Sequence, residues 1–307
     1  GTDAIEIILK SLKIGHGDQV LTVSHTALAT VAGIESAGAE PVLVDVDSDY
    51  YTIDLKKIRQ FYSKKIKAII AVHIYGQSAD IKELEIFCKN KGIYLIEDCS
   101  QAHGSSFKKK KLGSFGVASC FSCYPTKNLG AIGDGGLIST SNKTIANKCH
   151  RIRQYGLHNG KSIIKGRNSR LDEIQAAILR IKLNELNKDN NLRIKAARYY
   201  NTQLKKLPLK LPKVRKNSIH VFHLYVILVK KRNALLNFMK KNGVILGVHY
   251  LTPIHLQPLY KNRLIKSDMS ITEQISKNSV SLPIYPEIKK YELDKVIKLL
   301  KIFYDKK

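Results

Sequence analysis

Ile66-Lys-Ala-Ile-Ile-Ala-Val-His73, a helical pattern over residues 79–90, and then Ile93-Tyr-Leu-Ile-Glu97 running into Asp98: this stretch decides the fold. Its first and last runs are apolar almost throughout rather than alternating, so each reads as a strand covered on both faces. A helix joining two such strands by short connections is a βαβ unit, whose strands lie parallel. The alternation continues outward. Upstream, Ala4, Ile5, Ile8, Leu9 and Leu12 form a 3.6-residue stripe, a helix over 3–13 that Gly15-His-Gly17 ends. Residues 19–24 read as a strand, 25–37 as a helix closed by Gly38, and 41–46 as the next strand. Downstream, 117–121 and 135–139 complete the set. The expectation for residues 1–190 is a large domain on a mostly parallel sheet, with ligands bound at the polar strand ends.

Beyond it, residues 171–186 form a strong amphipathic helix that 192–207 continue and Pro208–Pro212 break. A strand over 219–229 and helices over 232–242 and 291–304 predict a smaller α+β domain, residues 191–307. With 307 residues and 44% hydrophobic side chains the chain holds a full core, which excludes wholesale disorder. No run approaches the ~18 continuous apolar residues of a membrane span, and no secretory signal is visible.

Fifty-two Lys and Arg against 25 Asp and Glu give a net charge of +27. Such a field attracts nucleic acid, lipid surfaces or small anions. The lysines are spread through nearly every segment, outnumber the arginines that read base edges, and accompany no zinc-finger, RRM or GXXG pattern. A plain solvated surface bias is therefore preferred, with steering of a small anionic substrate second and nucleic-acid binding last. Five cysteines, an odd and sparse set, argue for a reducing compartment and a cytoplasmic location. Cys120 and Cys123 lie in an extended run, where positions i and i+3 face opposite sides, so they read as structural thiols and not as a redox or metal pair.

Five places carry candidate chemistry. Lys127 is the one lysine between Leu112 and Gly133, in a glycine-rich loop. Partial burial there lowers a lysine's pKa and makes its amine nucleophilic, although a loop lysine capping a helix is the alternative. Glu97-Asp98 end a hydrophobic strand, where Asp98 orients a ring nitrogen, caps the next turn, or binds a metal with Asp45, Asp47 or His73. Gly1-Thr2-Asp3 precede a helix whose amides, with the Ser122 hydroxyl, suit a phosphate, unless Thr2 is a simple N-cap. Asn168 and Ser169 stand before the helix of 171–186, where an N-cap is the plain reading, and His249, Tyr250 and His255 crowd a loop of the small domain.

Taken together, SCYPTKNLGAIGDGGLIST, EDCSQAHGSSFKKKKLGSFG, GTDAIEIILKSLKIGHGDQVL, VHIYGQSAD, GRNSRLDEIQAAILRIKL and GVHYLTPIHLQPLY resemble, in order and spacing, the DegT/DnrJ/EryC1/StrS family of sugar aminotransferases. The resemblance covers essentially the whole chain. It implies the α/β fold type I of pyridoxal-phosphate-dependent transferases, aspartate aminotransferase-like, as a homodimer with sites at the interface. It implies that Lys127 forms the internal aldimine and shuttles the proton, that Asp98 pairs with the pyridine nitrogen, and that Gln101 lies by the ring hydroxyl. Thr2, the amides near Asp3, and Ser122 are implied to hold the phosphate, and Asn168 to reach the neighbouring subunit's cofactor. His249, Tyr250 and His255 are implied to border the sugar-nucleotide site. The implied cofactor is pyridoxal 5'-phosphate, with no metal. The implied reaction passes an amino group from an amino acid, usually L-glutamate, to a nucleotide-linked keto-deoxysugar. The QAHG and GVHYLTPIHLQP forms look most like enzymes acting at C3 of dTDP-3-keto-6-deoxyhexoses.

The sequence departs from the family in three ways. Ala27 stands where an aromatic side chain stacks on the cofactor ring, and Arg167 where an aromatic residue is common. Family chains also carry a segment ahead of the GTDA run, so the reading expects a chain cut short at its N-terminus. These departures keep a competing expectation open, a non-catalytic or regulatory homologue that binds sugar nucleotide or nucleic acid. A related deoxysugar dehydratase, with histidine in place of the lysine, is disfavoured by Lys127. Self-repulsion at +27 opposes assembly at low ionic strength. Sedimentation across a salt series should therefore show dimerisation rising with moderate salt, and a flat response would count against this reading of the charge.

Overall fold

The computed structural model describes residues 1–305. The elements in chain order are α1 (Thr2–Ser11), β1 (Gln19–Val23), α2 (Leu28–Ser36), β2 (Glu40–Val44), α3 (Leu55–Phe61), β3 (Ile66–Val72), α4 (Ile81–Lys91), β4 (Tyr94–Asp98), β5 (Ala118–Ser122), β6 (Gly136–Ser139), α5 (Lys143–Ile152), α6 (Glu173–Leu204), β7 (Tyr225–Leu228), α7 (Arg232–Lys241), β8 (Ile265–Lys266), α8 (Ser270–Asn278), β9 (Ser279–Leu282) and α9 (Lys290–Asp305), with short two-stranded pairings between some of them.

One seven-stranded sheet runs β8-β2-β1-β3-β4-β5-β6. All its pairings are parallel except β5 with β6. The apolar runs explain this: β1 is buried at every position, and β3 at every position but Lys67. Helices cover both faces, as a parallel sheet requires. On one, the stripe of α1 buries Ala4, Ile5, Ile8 and Leu9. Local chemistry sets the helix ends. Asp54 and Asn142 cap α3 and α5 by accepting backbone N–H groups, and Gly92 takes a left-handed φ of 64° to end α4.

A second core joins the C-terminal half of α6 to β7, β9, α7 and α9, with Tyr200, Tyr225, Leu235, Met239 and Leu300 at its centre. The expected division at residue 190 falls inside α6. The later part of the chain also returns to the large sheet. β8 adds to its edge beside β2, and Asp45 at the end of β2 accepts from Ile271 N (2.9 Å), Thr272 N (2.9 Å) and Thr272 Oγ1 (2.6 Å) at the start of α8. Asp45, a candidate metal ligand on sequence, is thus spent on holding a helix. Two further expectations change. The strand read over 219–229 is regular only as β7, because the chain turns at Phe222, where φ is 44°, after Ser218–Ile219 pair with Ser106–Phe107. The helix read from residue 25 starts at Leu28, because Ser24–Thr26 bend at the strand end. Among the described residues no helix is long and apolar enough to cross a membrane.

Burial holds three histidines neutral. His25 is pushed down to about 4, His103 to about 4, and His220 to about 3. Between those values and the ordinary 6.5, the unfolded chain binds protons that the folded chain refuses. Stability is therefore full above pH 6.5 and falls as pH drops toward 4, by roughly 1.4 kcal/mol per pH unit for each histidine. Urea midpoints should be clearly lower at pH 5 than at pH 7. Substituting His220 with a neutral residue of similar volume should flatten the slope.

Candidate active site

Four parallel strands end on the same side of the sheet, and their carboxyl ends open on one cavity of about 970 Å³. Thr26 and Ala27 follow β1, Val72 ends β3, Asp98 ends β4 and Ser122 ends β5, and all line it. The first residues of α1 close it on another side, and Lys127 enters from the turn after β5.

Asp98 is 5% exposed. Its Oδ2 accepts from Thr30 Oγ1 at 2.9 Å and its Oδ1 from Ser100 N at 3.0 Å. A buried carboxylate held by two donors keeps lone pairs for a further, cationic partner in the cavity. Lys127 lies in a tight turn where its N–H donates to Tyr124 O at 2.9 Å. Gly130 permits the turn, since a Cβ there would sit 2.4 Å from Pro125 O. Burial pushes the Lys127 amine below the ordinary lysine value, and the Asp98 charge partly opposes this. The two groups form no ion pair, and Lys127 Nζ makes no hydrogen bond among the described residues.

α1 has Gly1 as its N-cap and no side-chain cap, so Thr2 is its first helical residue rather than its cap. Its first amides face the cavity without an intrahelical acceptor, beside Ser122. That is an anion site by geometry and by dipole. The Asp3 carboxylate is turned to Ser169 Oγ (2.6 Å) and Arg167 (3.4 Å), leaving its amide for the anion.

Gln101, 5% exposed, accepts from Tyr75 N at 2.7 Å through Oε1 and donates through Nε2 to Tyr250 OH at 2.8 Å. Tyr75 sits at φ +60°, in the left-handed region, so Gln101 braces a strained turn as well as lining the cavity. Burial raises the Tyr250 phenol to about 12, which keeps it a hydrogen-bond donor. His249 bonds Ser281 Oγ at 2.8 Å, its carbonyl accepts from Tyr75 OH, and burial and Lys127 lower its pKa.

None of His249, Tyr250 and His255 is among the residues that line the cavity, although Tyr250 meets it through Gln101. His255 is 2% exposed, with Nδ1 2.7 Å from Ser24 Oγ and Nε2 3.0 Å from Glu273. Those bonds hold its loop against the end of β1. Asn168 is exposed and outside the cavity of its own chain. Sequence reasoning missed Thr30 and Tyr75, whose partners come from other segments, and Ser100, whose amide bond to Asp98 two residues back is a local turn that the sequence could have offered.

Glu97, beside Asp98, faces the other way. Its oxygens accept from Gly113 N (2.8 Å), Phe115 N (2.6 Å) and Gly116 N (2.9 Å) and meet His73 Nε2 at 3.1 Å. Ala79 N donates to His73 Nδ1, which leaves the ring proton on Nε2, toward Glu97. His73, Glu97 and Cys99 offer ligand atoms within 4.8 Å of one another, but the first two are already committed to bracing a loop.

A partly neutral lysine, a buried carboxylate without its counter-ion and an uncapped helix end around one cavity fit pyridoxal 5'-phosphate. The place expected for a stacking ring is lined by Ala27 and Ala29, while the His25 ring turns away to Tyr75 OH at 2.6 Å. Ala27→Phe should therefore tighten cofactor binding by about 1 kcal/mol, roughly five- to tenfold in Kd. An absorbance titration reads this directly, and unchanged or weaker binding would show that Ala27 does not face the ring.

Residues 1–301 match the DegT/DnrJ/EryC1/StrS aminotransferase family. The dTDP-3-amino-3,6-dideoxy-alpha-D-galactopyranose transaminase of Aneurinibacillus thermoaerophilus is 42% identical over 298 residues, covering 97% of this chain and 82% of that protein. The structure of S. venezuelae DesV in complex with a ketimine intermediate superposes with a TM-score of 0.96 at 33% identity, over 99% of this chain and 83% of that one. NtdA from Bacillus subtilis, with bound cofactor PMP, gives 0.91 at 30% identity, over 99% and 72%. With the family matched over nearly its whole length, the chain belongs to the DegT/DnrJ/EryC1/StrS aminotransferase family.

Proposed function

We propose that this aminotransferase, with pyridoxal 5'-phosphate as its cofactor, moves an amino group from L-glutamate to the C3 keto group of a dTDP-linked 3-keto-6-deoxyhexose. One observation carries the reading: an unpaired lysine amine and a buried carboxylate face the same cavity, with an uncapped helix N-terminus between its walls. The named activity of the Aneurinibacillus relative supports the sugar and its nucleotide. The net charge of +27 supports an anionic diphosphate substrate, which such a field steers.

When bound, the cofactor supplies an electron sink for the charge left as the donor's α-hydrogen departs. The chain's own residues do the rest. The Thr2 and Asp3 amides and the Ser122 hydroxyl hold the phosphate. Asp98 keeps a proton at the ring nitrogen, and Gln101 lies by the ring hydroxyl. Lys127 Nζ, neutral for part of the time, takes the proton from the donor's α-carbon and delivers one to C3 of the sugar in the other half-reaction. His249 and Tyr250 border the sugar side. His255 serves that side indirectly, by fixing the loop.

The cofactor belongs to the large domain, residues 1–190, which supplies the cavity lining, and residues 191–307 form the smaller domain. The homodimer face is the apolar stripe of Ile174 (62% exposed) and Ile181 (70%) on α6, with Ile132 (67%) beside it, where Ile132 N donates to Gln175 Oε1. Asn168, exposed near that face, reaches the neighbour's phosphate. Five free, buried cysteines support a cytoplasmic setting.

The test is a visible absorbance titration with pyridoxal phosphate for the wild type and Lys127→Ala, followed by glutamate and then keto-sugar. The wild type should show a protein-bound band that fades with glutamate, and it should release 2-oxoglutarate catalytically only when keto-sugar is present. Lys127→Ala should lose the covalent band, and Asp98→Asn should lower turnover by about 10²-fold or more. A folded wild type without a band would sink the proposal in favour of a non-catalytic homologue.

A further inference from the structure

A chain of buried polar groups runs from the residue after Lys127 into two distant segments. Asn128, 9% exposed, donates through Nδ2 to Asn190 Oδ1 at 2.8 Å and to Val221 O at 3.2 Å. With both amide hydrogens given away, its Oδ1 is the acceptor for His223 Nδ1, 3.1 Å away. That fixes the His223 tautomer with its proton on Nδ1. Asn190, in α6, continues the chain by donating to His103 O at 2.8 Å. The approach depends on Gly104: φ is +81° there, and a Cβ would sit 2.6 Å from Asn190 Nδ2. The polar side chains of Asn128, Asn190 and His223 are all less than a tenth exposed. Buried amides cost stability that apolar residues of similar size would not. What the arrangement achieves is registration. It ties the Lys127 turn to α6, 62 residues away, and to the segment leading into β7, 93 to 95 residues away.

We propose that Asn128 is a positioning residue for Lys127 and that His223 acts through it, the Nδ1–H bond locking the Asn128 amide and with it the direction in which Lys127 Nζ enters the cavity. The proposal rests on the role given to Lys127 above. The charged and titratable groups around this pair come from several elements: Lys127 itself, Arg193 on α6, His103 after β4 and His249 after α7, with Asp98 across the cavity. Burial first, and then the positive charges of Lys127 and Arg193, push the His223 ring well below its ordinary value. The Nδ1 donor therefore comes from a neutral ring, and the lock adds no positive charge beside the lysine.

Two isosteric variants separate positioning from direct action. His223→Asn keeps an N–H near Nδ1 and removes Nε2. His223→Gln places its amide near Nε2 and removes the donor to Asn128. The readout is the pH profile of Lys127 acetylation in the cofactor-free protein, followed by mass spectrometry, beside the pH titration of the cofactor band in the loaded protein. His223→Asn should match the wild type within about twofold. His223→Gln and Asn128→Ala should move the Lys127 midpoint upward by about one pH unit, toward an exposed lysine, which is about tenfold less neutral amine at neutral pH. Circular dichroism and melting check the fold, and should Asn128→Ala not fold, the volume-matched His223→Gln decides. Unmoved midpoints in folded His223→Gln would overturn the proposal. So would a His223→Asn profile as altered as that of His223→Gln, since the ring itself would then be required. Labelling of the cofactor-free protein needs no turnover, so failure of the sugar assignment leaves this result readable.

Discussion

The site depends on keeping a lysine and a carboxylate at one cavity without letting them pair. At short range and low dielectric, opposite charges attract strongly. A Lys127–Asp98 bridge would raise the amine's pKa and occupy both groups. The fold prevents this by fixing each from its own side. Asp98 ends a strand flanked by β3 and β5, and Thr30 and Ser100 hold its oxygens. Lys127 sits on a turn closed by its own N–H to Tyr124 O, by Ala131 N to Cys123 O, and by the close approach that only Gly130 allows. The amine is left between two opposing influences, burial that lowers its pKa and the Asp98 charge that raises it.

Strand geometry decides which of two adjacent carboxylates faces the cavity. Successive side chains on β4 face opposite ways, so Glu97 and Asp98 part company. Glu97 collects three amides and a histidine, a demand for negative charge that outweighs its burial and holds its carboxyl below the ordinary range. It is consumed in shaping residues 113–116. Asp98 receives one hydroxyl and one amide and keeps capacity for a partner. Similar placement at a strand end thus gives one carboxylate spent as a brace and one with free capacity at the cavity, and the difference lies in how many donors the folded chain brings to each.

That contrast explains what the sequence could and could not disclose. The parallel strands were legible because apolar runs and glycine stops are local signals. Lys127 was legible as a lone lysine in a loop poor in charge, and α1 as an amphipathic stripe. Partner identity was not, because Thr30 lies 68 residues from Asp98 and Thr272 lies 227 from Asp45. His255 reads as a site residue by its neighbours in sequence, yet its bonds to Ser24 and Glu273 make it a clamp. The strand expected over 219–229 failed for a related reason. Its first residues are apolar, but they pair with a different short strand before the chain turns into β7.

The phosphate end of the cavity shows how a departure from the family's residues is absorbed. An acidic residue in the first turn of α1 suits the helix dipole but repels a phosphate placed at the same amides. Asp3 and the buried Glu6 both lie on that turn or the next. Arg167 reaches both, and Ser169 donates to Asp3 at 2.6 Å. Arg167 and Lys10, which meets the other Glu6 oxygen, together balance the two acids, so the α1 amides and dipole are left to face an anion. With alanine at residue 27, the cavity offers charge and dipole at its ends and no ring at that position. The brace on α1 thus sets the charge at that end of the cavity, although neither Arg167 nor Glu6 lies in its lining.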